Sequence, residues 1–232
     1  MKAVFKRELR SYFLTMTGYM FLAMFLLAGG LYFWLWNLRV GAVSISDTLE
    51  NMKSWAVFIL PVLTMRMFAE DRKLKTDQLL LTAPVSVKSI VIGKFLAAAV
   101  IVTGAVLIMF AYSSIIFWGN VNWAEAVTSV LGFILLCVAM LAIGEFMSAL
   151  TDSMIVAAFS TYAVFTLMVL MGNIAKAASG AVREMFLWLS PMERYQSFWY
   201  GVLDPSVLVY YISLMVLFLA LTSMVTERRR FA

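Results

Sequence analysis

Residues 55–68 read WAVFILPVLTMRMF, an apolar run broken by Pro61 and Arg66, and whether it crosses a membrane decides the layout of everything after it. A spanning helix needs roughly 20 apolar residues to cross ~30 Å of hydrocarbon at ~1.5 Å per residue, so by length this run is marginal. Five other segments, 17–36, 95–118, 127–150, 154–172 and 207–225, meet the requirement and are bounded by charges, Gly, Asn or aromatic residues suited to an interface. Charge decides the remaining one, because Lys and Arg collect in short cytoplasmic loops. With 55–68 crossing and the N-terminus inside, the cytoplasm holds Lys2, Lys6, Arg7, Arg10, Arg66, Arg72, Lys73, Lys75, Lys88, Lys94 and Arg228, Arg229 and Arg230. Only Arg39, Lys53, Lys176, Arg183 and Arg194 lie outside. Without that crossing every later loop inverts, and most of the cations are exported. The expectation is an all-α polytopic membrane protein with six transmembrane helices and both termini cytoplasmic.

The composition demands the same surroundings. The chain has 232 residues, 63% hydrophobic and 13% charged, about half the charge of an ordinary soluble domain. At a mean hydropathy of +0.92, its apolar surface exceeds what one core of this size hides from water, so lipid must solvate it. The formal charge of +5 therefore reports topology, and no nucleic-acid partner is expected. There is no histidine, which removes His-dependent triads and dyads, HExxH zinc sites and haem ligation by His. The lone Cys137 sits in an apolar run with no second cysteine to form an intrachain disulfide. Neither catalytic residues nor a metal site are expected. Without repeats, low-complexity tracts or linkers, residues 1–232 read as one membrane domain.

Three stretches outside the spans are long enough to matter. In 1–14, Phe5, Leu9, Tyr12 and Phe13 share one helical face, with Lys2, Lys6, Arg7 and Arg10 largely off it. That pattern describes a helix lying in the cytoplasmic interface; a basic terminus that merely follows the charge rule is the plainer alternative. In 69–89, AEDRKLKTDQLLLTAPVSVKS, a charged ramp continues the preceding helix. There Thr76 suits an N-cap, Asp77 and Gln78 suit a first turn, and Pro84 ends the piece, giving a short amphipathic helix that presents Leu79, Leu80 and Leu81. The exported stretch 173–205 is unusually apolar and aromatic. Two short helices broken at Pro191 and dipping back into the outer leaflet would satisfy both its hydrophobicity and its backbone hydrogen bonds.

Four stretches carry a family resemblance along nearly the whole chain: FKRELRSYFLTMTGYMFLAMFLLAGGLYF from Phe5, PVLTMRMFAEDRKLKTDQLLLTAPVSVKSIVIGKFLA from Pro61, SALTDSMIVAAF from Ser148, and LSPMERYQSFWYGVLDPSVLVYYISL from Leu189. Together with the order of spans and loops they resemble the ABC-2 (type V) exporter permeases, most closely the branch related to the gliding-motility ABC permease. The second stretch is the most specific, and it departs from the family in having Lys75 where Gly is usual and Asp77-Gln78 where an apolar residue and Glu are usual. The resemblance implies that Thr76, Asp77, Gln78, Leu79, Leu80, Leu81, Thr82, Ala83 and Pro84 form the coupling helix that docks in a groove of a cytoplasmic ATPase. It also implies that Pro191, Glu193, Phe198 and Gly201 belong to an exported hairpin. Mechanics alone point to 69–89 as well: an ATPase moves a membrane domain only through a rigid cytoplasmic element joined to the spans. The chain has no GxxxxGK[ST] loop, so ATP and Mg are expected on a separate ABC ATPase, in two copies, with no cofactor in this chain. A second permease subunit, identical or related, is expected as well.

Several residues carry two readings. Arg66, Glu70, Asp71 and Arg72, at the cytoplasmic mouth of the second span, form a gate network or simply snorkel. Glu145, roughly 7.5 Å of helical rise from its span's cytoplasmic end, is a structural acid paired with Lys94 or a part of the transport route. The 17 Met and the run Tyr32, Phe33, Trp34 and Trp36 line an adaptable route, or pack and form an interfacial belt. The function expected from all this is the permease of an ATP-driven exporter in a bacterial cytoplasmic membrane, carrying a lipid-like, peptide or polymeric substrate. An ATP-independent channel, carrier or toxin-immunity protein is the alternative.

Overall fold

The structure is a computed structural model and describes residues 2–39, 44–76, 85–116, 122–177 and 179–230. Among these, six helices are long and apolar enough to cross a membrane. In chain order the helices are α1 (Lys2–Leu14), α2 (Met16–Tyr32), α3 (Ile45–Thr64), α4 (Ala69–Lys73), α5 (Val87–Ile116), α6 (Trp123–Leu150), α7 (Met154–Ala177), α8 (Gly180–Leu189), α9 (Pro191–Arg194), α10 (Gln196–Trp199) and α11 (Pro205–Arg230). The fold is all-α and polytopic, as the apolar runs require.

The chain bends sharply between α1 and α2, where Thr15 is extended and its hydroxyl donates to the Ser11 carbonyl at 2.8 Å. Gly18 makes the bend possible, since a Cβ there would collide with the Tyr12 carbonyl. The last turns of α2 widen into a π-helix, Phe33–Leu38, which buries Phe33 and Asn37 while Trp34 and Trp36 stay exposed. The aromatic run therefore divides between packing and an exposed belt. The second span begins well before the apolar run that announces it: α3 starts at Ile45, with Ser44 capping the Asp47 amide at 3.2 Å. Its early polar side chains are absorbed by inward-facing partners. Asn37 donates to Thr48 at 2.8 Å, and Lys53 pairs with Glu50 at 2.6 Å and donates to the Met192 carbonyl at 3.3 Å. Hydropathy alone does not see those partners, so it places this helix start too late.

α6 is the hub, with 72% of its most apolar window buried against 17% for α7 and 22% for α11. α11 and α3 both lie along it, and α2 lies on α3. A line of rings crosses this core: Phe21 to Phe25 at 5.7 Å, Phe25 to Phe133 at 6.3 Å and Phe133 to Tyr195 at 6.0 Å. Cys137 is fully buried beside it, as a small apolar residue would be. The helices leave two functional ends, one built around α1, α4 and the end of α11, the other around α8, α9 and α10.

Candidate functional site

At the first end, α1 lies across α5 and touches α2. Val4, which the sequence reading passed over, is an anchor of this helix, because Gly93 on α5 leaves room for it; a Cβ there would stand 3.0 Å from the valine. Tyr12 is buried as expected, whereas Phe13 is exposed. This seating brings Arg7 and Glu8 to the point where the chain leaves the second span.

The span ends in an irregular step, Met65 to Phe68, before α4. The step breaks the helical ladder, so amides here need other acceptors. Ser148 of α6 supplies one: its Oγ accepts from the Phe68 amide at 3.0 Å and the Ala69 amide at 3.1 Å, and donates to the Met65 carbonyl at 3.3 Å. Sequence reasoning missed this residue, although it opens the third stretch of the resemblance. Ser148→Ala is expected to destabilise the chain by about 1–3 kcal/mol, the cost of buried donors left unpaired, measured as a lowered unfolding midpoint in mild detergent. A midpoint equal to that of the native chain would remove Ser148 from the account.

The step delivers four charges, and they divide into two groups. Arg66 binds Glu70 and the hydroxyls of Thr15 and Thr17, tying the second span to the α1–α2 bend. Asp71 takes the Lys94 ammonium at 2.5 Å, and Glu8 stands 3.2 Å from the same ammonium. Arg7 lies 3.9 Å from Asp71. Arg72 turns the other way, donating to the Thr151 carbonyl at 3.1 Å with Asp152 at 3.7 Å. Asp152 also receives Arg229 from the end of α11 at 2.8 Å. Arg72 thus reaches the α6–α7 turn, while Arg66, Glu70 and Asp71 line one cavity. A cavity of about 280 Å³ lies inside the first group, lined in part by Arg7, Glu8, Arg66, Glu70, Asp71 and Lys94.

Lys94 is not hydrogen-bonded to Glu145, which corrects the expected pairing. Its side chain is 3% exposed and committed to Asp71 and Glu8. Glu145 is fully buried, and among the described residues neither of its oxygens has a hydrogen-bond partner. The reason is reach: α4 and α1 carry acids to Lys94 from outside the span, a convergence that spacing along α5 and α6 does not reveal.

Beyond α4, Lys75 adopts φ +57°, the left-handed region that favours glycine. Here the departure from the family's usual Gly falls on the position whose backbone calls for one. The Thr76 hydroxyl turns back to Asp71, 3.0 Å from its Oδ1, and closes the turn. Asp77, Gln78, Leu79, Leu80, Leu81, Thr82, Ala83 and Pro84 lie outside the described residues.

At the other end, the 173–205 stretch makes three short helices, not two. α8 is exposed, while α9 and α10 insert among α3, α6, α7 and α11. Pro191 starts α9, and its carbonyl accepts from Tyr211 at 2.7 Å. Glu193 pairs with Lys176 at 2.8 Å. Phe198 packs against Gly132, and its carbonyl accepts from Ser129 at 3.0 Å. Gly201 turns the chain with φ +78°, close over Glu125. The Trp199 indole donates to Asp47 at 2.9 Å, fastening the hairpin to the start of α3.

Six spans, an N-terminal helix clamped to the mouth of the second, and an inserted apolar hairpin agree with what the sequence matches. Over residues 9–226 the chain matches the family described as ABC-2 family transporter protein, and it belongs to that family. No curated protein matches it. The chain is a multi-pass membrane protein of an ABC-2 transporter.

Proposed function

We propose that this chain is the permease subunit of an ATP-driven exporter in a bacterial cytoplasmic membrane. A separate cytoplasmic ABC ATPase, in two copies, drives it through the segment that follows α4, and a second permease chain, identical or related, completes the route. ATP and Mg reside on the ATPase. The substrate moves outward and is lipid-like, peptide or polymeric.

The observation that carries this reading is the way the start of segment 69–89 is held. Arg66 links it to α2, Asp71 to α5 and α1, Ser148 to α6, and Arg72 to the α6–α7 turn. A push on the residues after Thr76 therefore acts on four spans at once, which a passive loop would not need. The test is affinity purification of the native chain and of Leu80→Asp in mild detergent, with identification of what accompanies each. A P-loop ATPase is expected with the native chain and is expected to be lost with the variant, which still inserts in the membrane. Absence of an ATPase under every condition would replace this reading with the ATP-independent one.

A further inference from the structure

α7 and α11 both lean on α6 but splay apart from each other near the hairpin, leaving an apolar cleft of about 670 Å³, within the range of small-ligand sites. Leu167 and Met168 form one wall, Leu214 and Leu217 the other, and Leu189 and Tyr210 close the top. From Tyr210 to Phe218 the cleft runs about 12 Å by helical rise, close to the ~15 Å depth of one leaflet. At its top the Arg194 guanidinium lies 3.9 Å from the Trp188 ring centre and 4.6 Å from that of Tyr210. Its Nε donates to the Trp188 carbonyl at 3.2 Å. Arg194 also lines a second, polar pocket of about 340 Å³ with Glu184, Glu193 and Asp204.

We propose that this cleft is a binding site for one zwitterionic glycerophospholipid, with an acyl chain between α7 and α11, the phosphate on Arg194 and the ammonium among Glu184 and Asp204. The occupant follows from the lining. A cleft one leaflet deep and almost wholly apolar takes a hydrocarbon chain. A fixed cation at its mouth takes a phosphate. The carboxylates beside that cation repel a net-anionic headgroup but attract an ammonium. Glu193 contributes least to the ammonium, being engaged by Lys176 at 2.8 Å. This binding does not depend on an ATPase partner, because the site lies within one chain.

Native mass spectrometry of the detergent-purified chain tests it, after equal exposure to dioleoyl phosphatidylethanolamine, dioleoyl phosphatidylglycerol or dioleoylglycerol. One phosphatidylethanolamine per chain is expected to be retained in preference to the other two. Ser213→Trp, which fills the cleft, is expected to lower that retention about tenfold. Val209→Trp, on the 66% exposed face of the same helix, is expected to leave it unchanged. Arg194→Gln is expected to bring phosphatidylethanolamine down to the dioleoylglycerol level. Met168→Trp serves on the opposite wall if Ser213→Trp does not insert. The proposal is overturned if phosphatidylglycerol is held equally well, if neither cleft-filling variant lowers retention, or if a second protein chain is lost in place of lipid. The ATPase co-purification above is scored separately, so either result stands without the other.

Discussion

Replacing Lys94 by Met is expected to destabilise the chain by about 3 kcal/mol, because removing one partner of a buried ion pair leaves the other charge uncompensated. Here two acids are left. Asp71 at 2.5 Å and Glu8 at 3.2 Å both depend on the one ammonium, and fully buried Glu145 is nearby on α6. Methionine preserves the length and packing of the stem, so the loss reports charge rather than a cavity. The change is expected to be sharply non-additive. Lys94→Met with Asp71→Asn removes one of the two unpaired anions along with their partner, and the double variant is expected to be more stable than Lys94→Met alone. Unfolding midpoints of the four proteins in mild detergent complete the cycle. Additive losses, or a Lys94→Met midpoint equal to the native one, would show that the ammonium holds nothing together. The same variant is expected to loosen α1 on α5, since Glu8 is a polar link between them, and so to weaken any motion passed from segment 69–89 to the N-terminal helix.

The membrane class and the count of six long apolar helices are legible in the sequence because each follows from a running total of apolar length. What is not legible is convergence. Nothing in the sequence around Ser148 says that two amides from the other side of a broken helix will seek its hydroxyl, because the break at Met65–Phe68 is a tertiary accommodation. Lys94 and Glu145 are a reasonable pair by depth, yet α4 and α1 bring Asp71 and Glu8 to the same ammonium first. Arg72 sits one residue from Asp71 and reaches Thr151 and Asp152 instead, carried off the Asp71 face by the ~100° step between successive helical residues. The start of α3 shows the limit of hydropathy: Ser46, Thr48 and Lys53 look like loop residues until Glu125, Asn37 and Glu50 supply their partners. Lys75 is the reverse case, where a departure from the resemblance points to a backbone position that the structure places in the left-handed region.

Gly132→Val is expected to expel the α9–α10 insertion and to destabilise the chain by about 3 kcal/mol, at the upper end of ordinary overpacking. The ring of Phe198 lies directly on the glycine, so that a Cβ there would overlap the ring and its own Cβ. The ring cannot simply rotate away. Ser129 holds the Phe198 carbonyl at 3.0 Å, Tyr195 donates to the Ser129 carbonyl at 3.2 Å, and Trp199 is fastened to Asp47 at 2.9 Å. The clash therefore moves the whole of α10 and, through Tyr195 and Met192, loosens α9 and the Lys53 contact. Two readouts separate this local expulsion from general unfolding. Trypsin cleavage after Arg194, slow while that side chain is stacked between Trp188 and Tyr210, is expected to become fast in the variant. Phe198→Ala costs about 3–5 kcal/mol alone by opening a cavity, but in the Gly132→Val background the new side chain fills part of it, so the two losses should sum to less than their separate values. Strict additivity with unchanged cleavage at Arg194 would mean that Phe198 and Gly132 do not share a contact. A coupled pair would identify the glycine as the socket that seats the hairpin in the bundle.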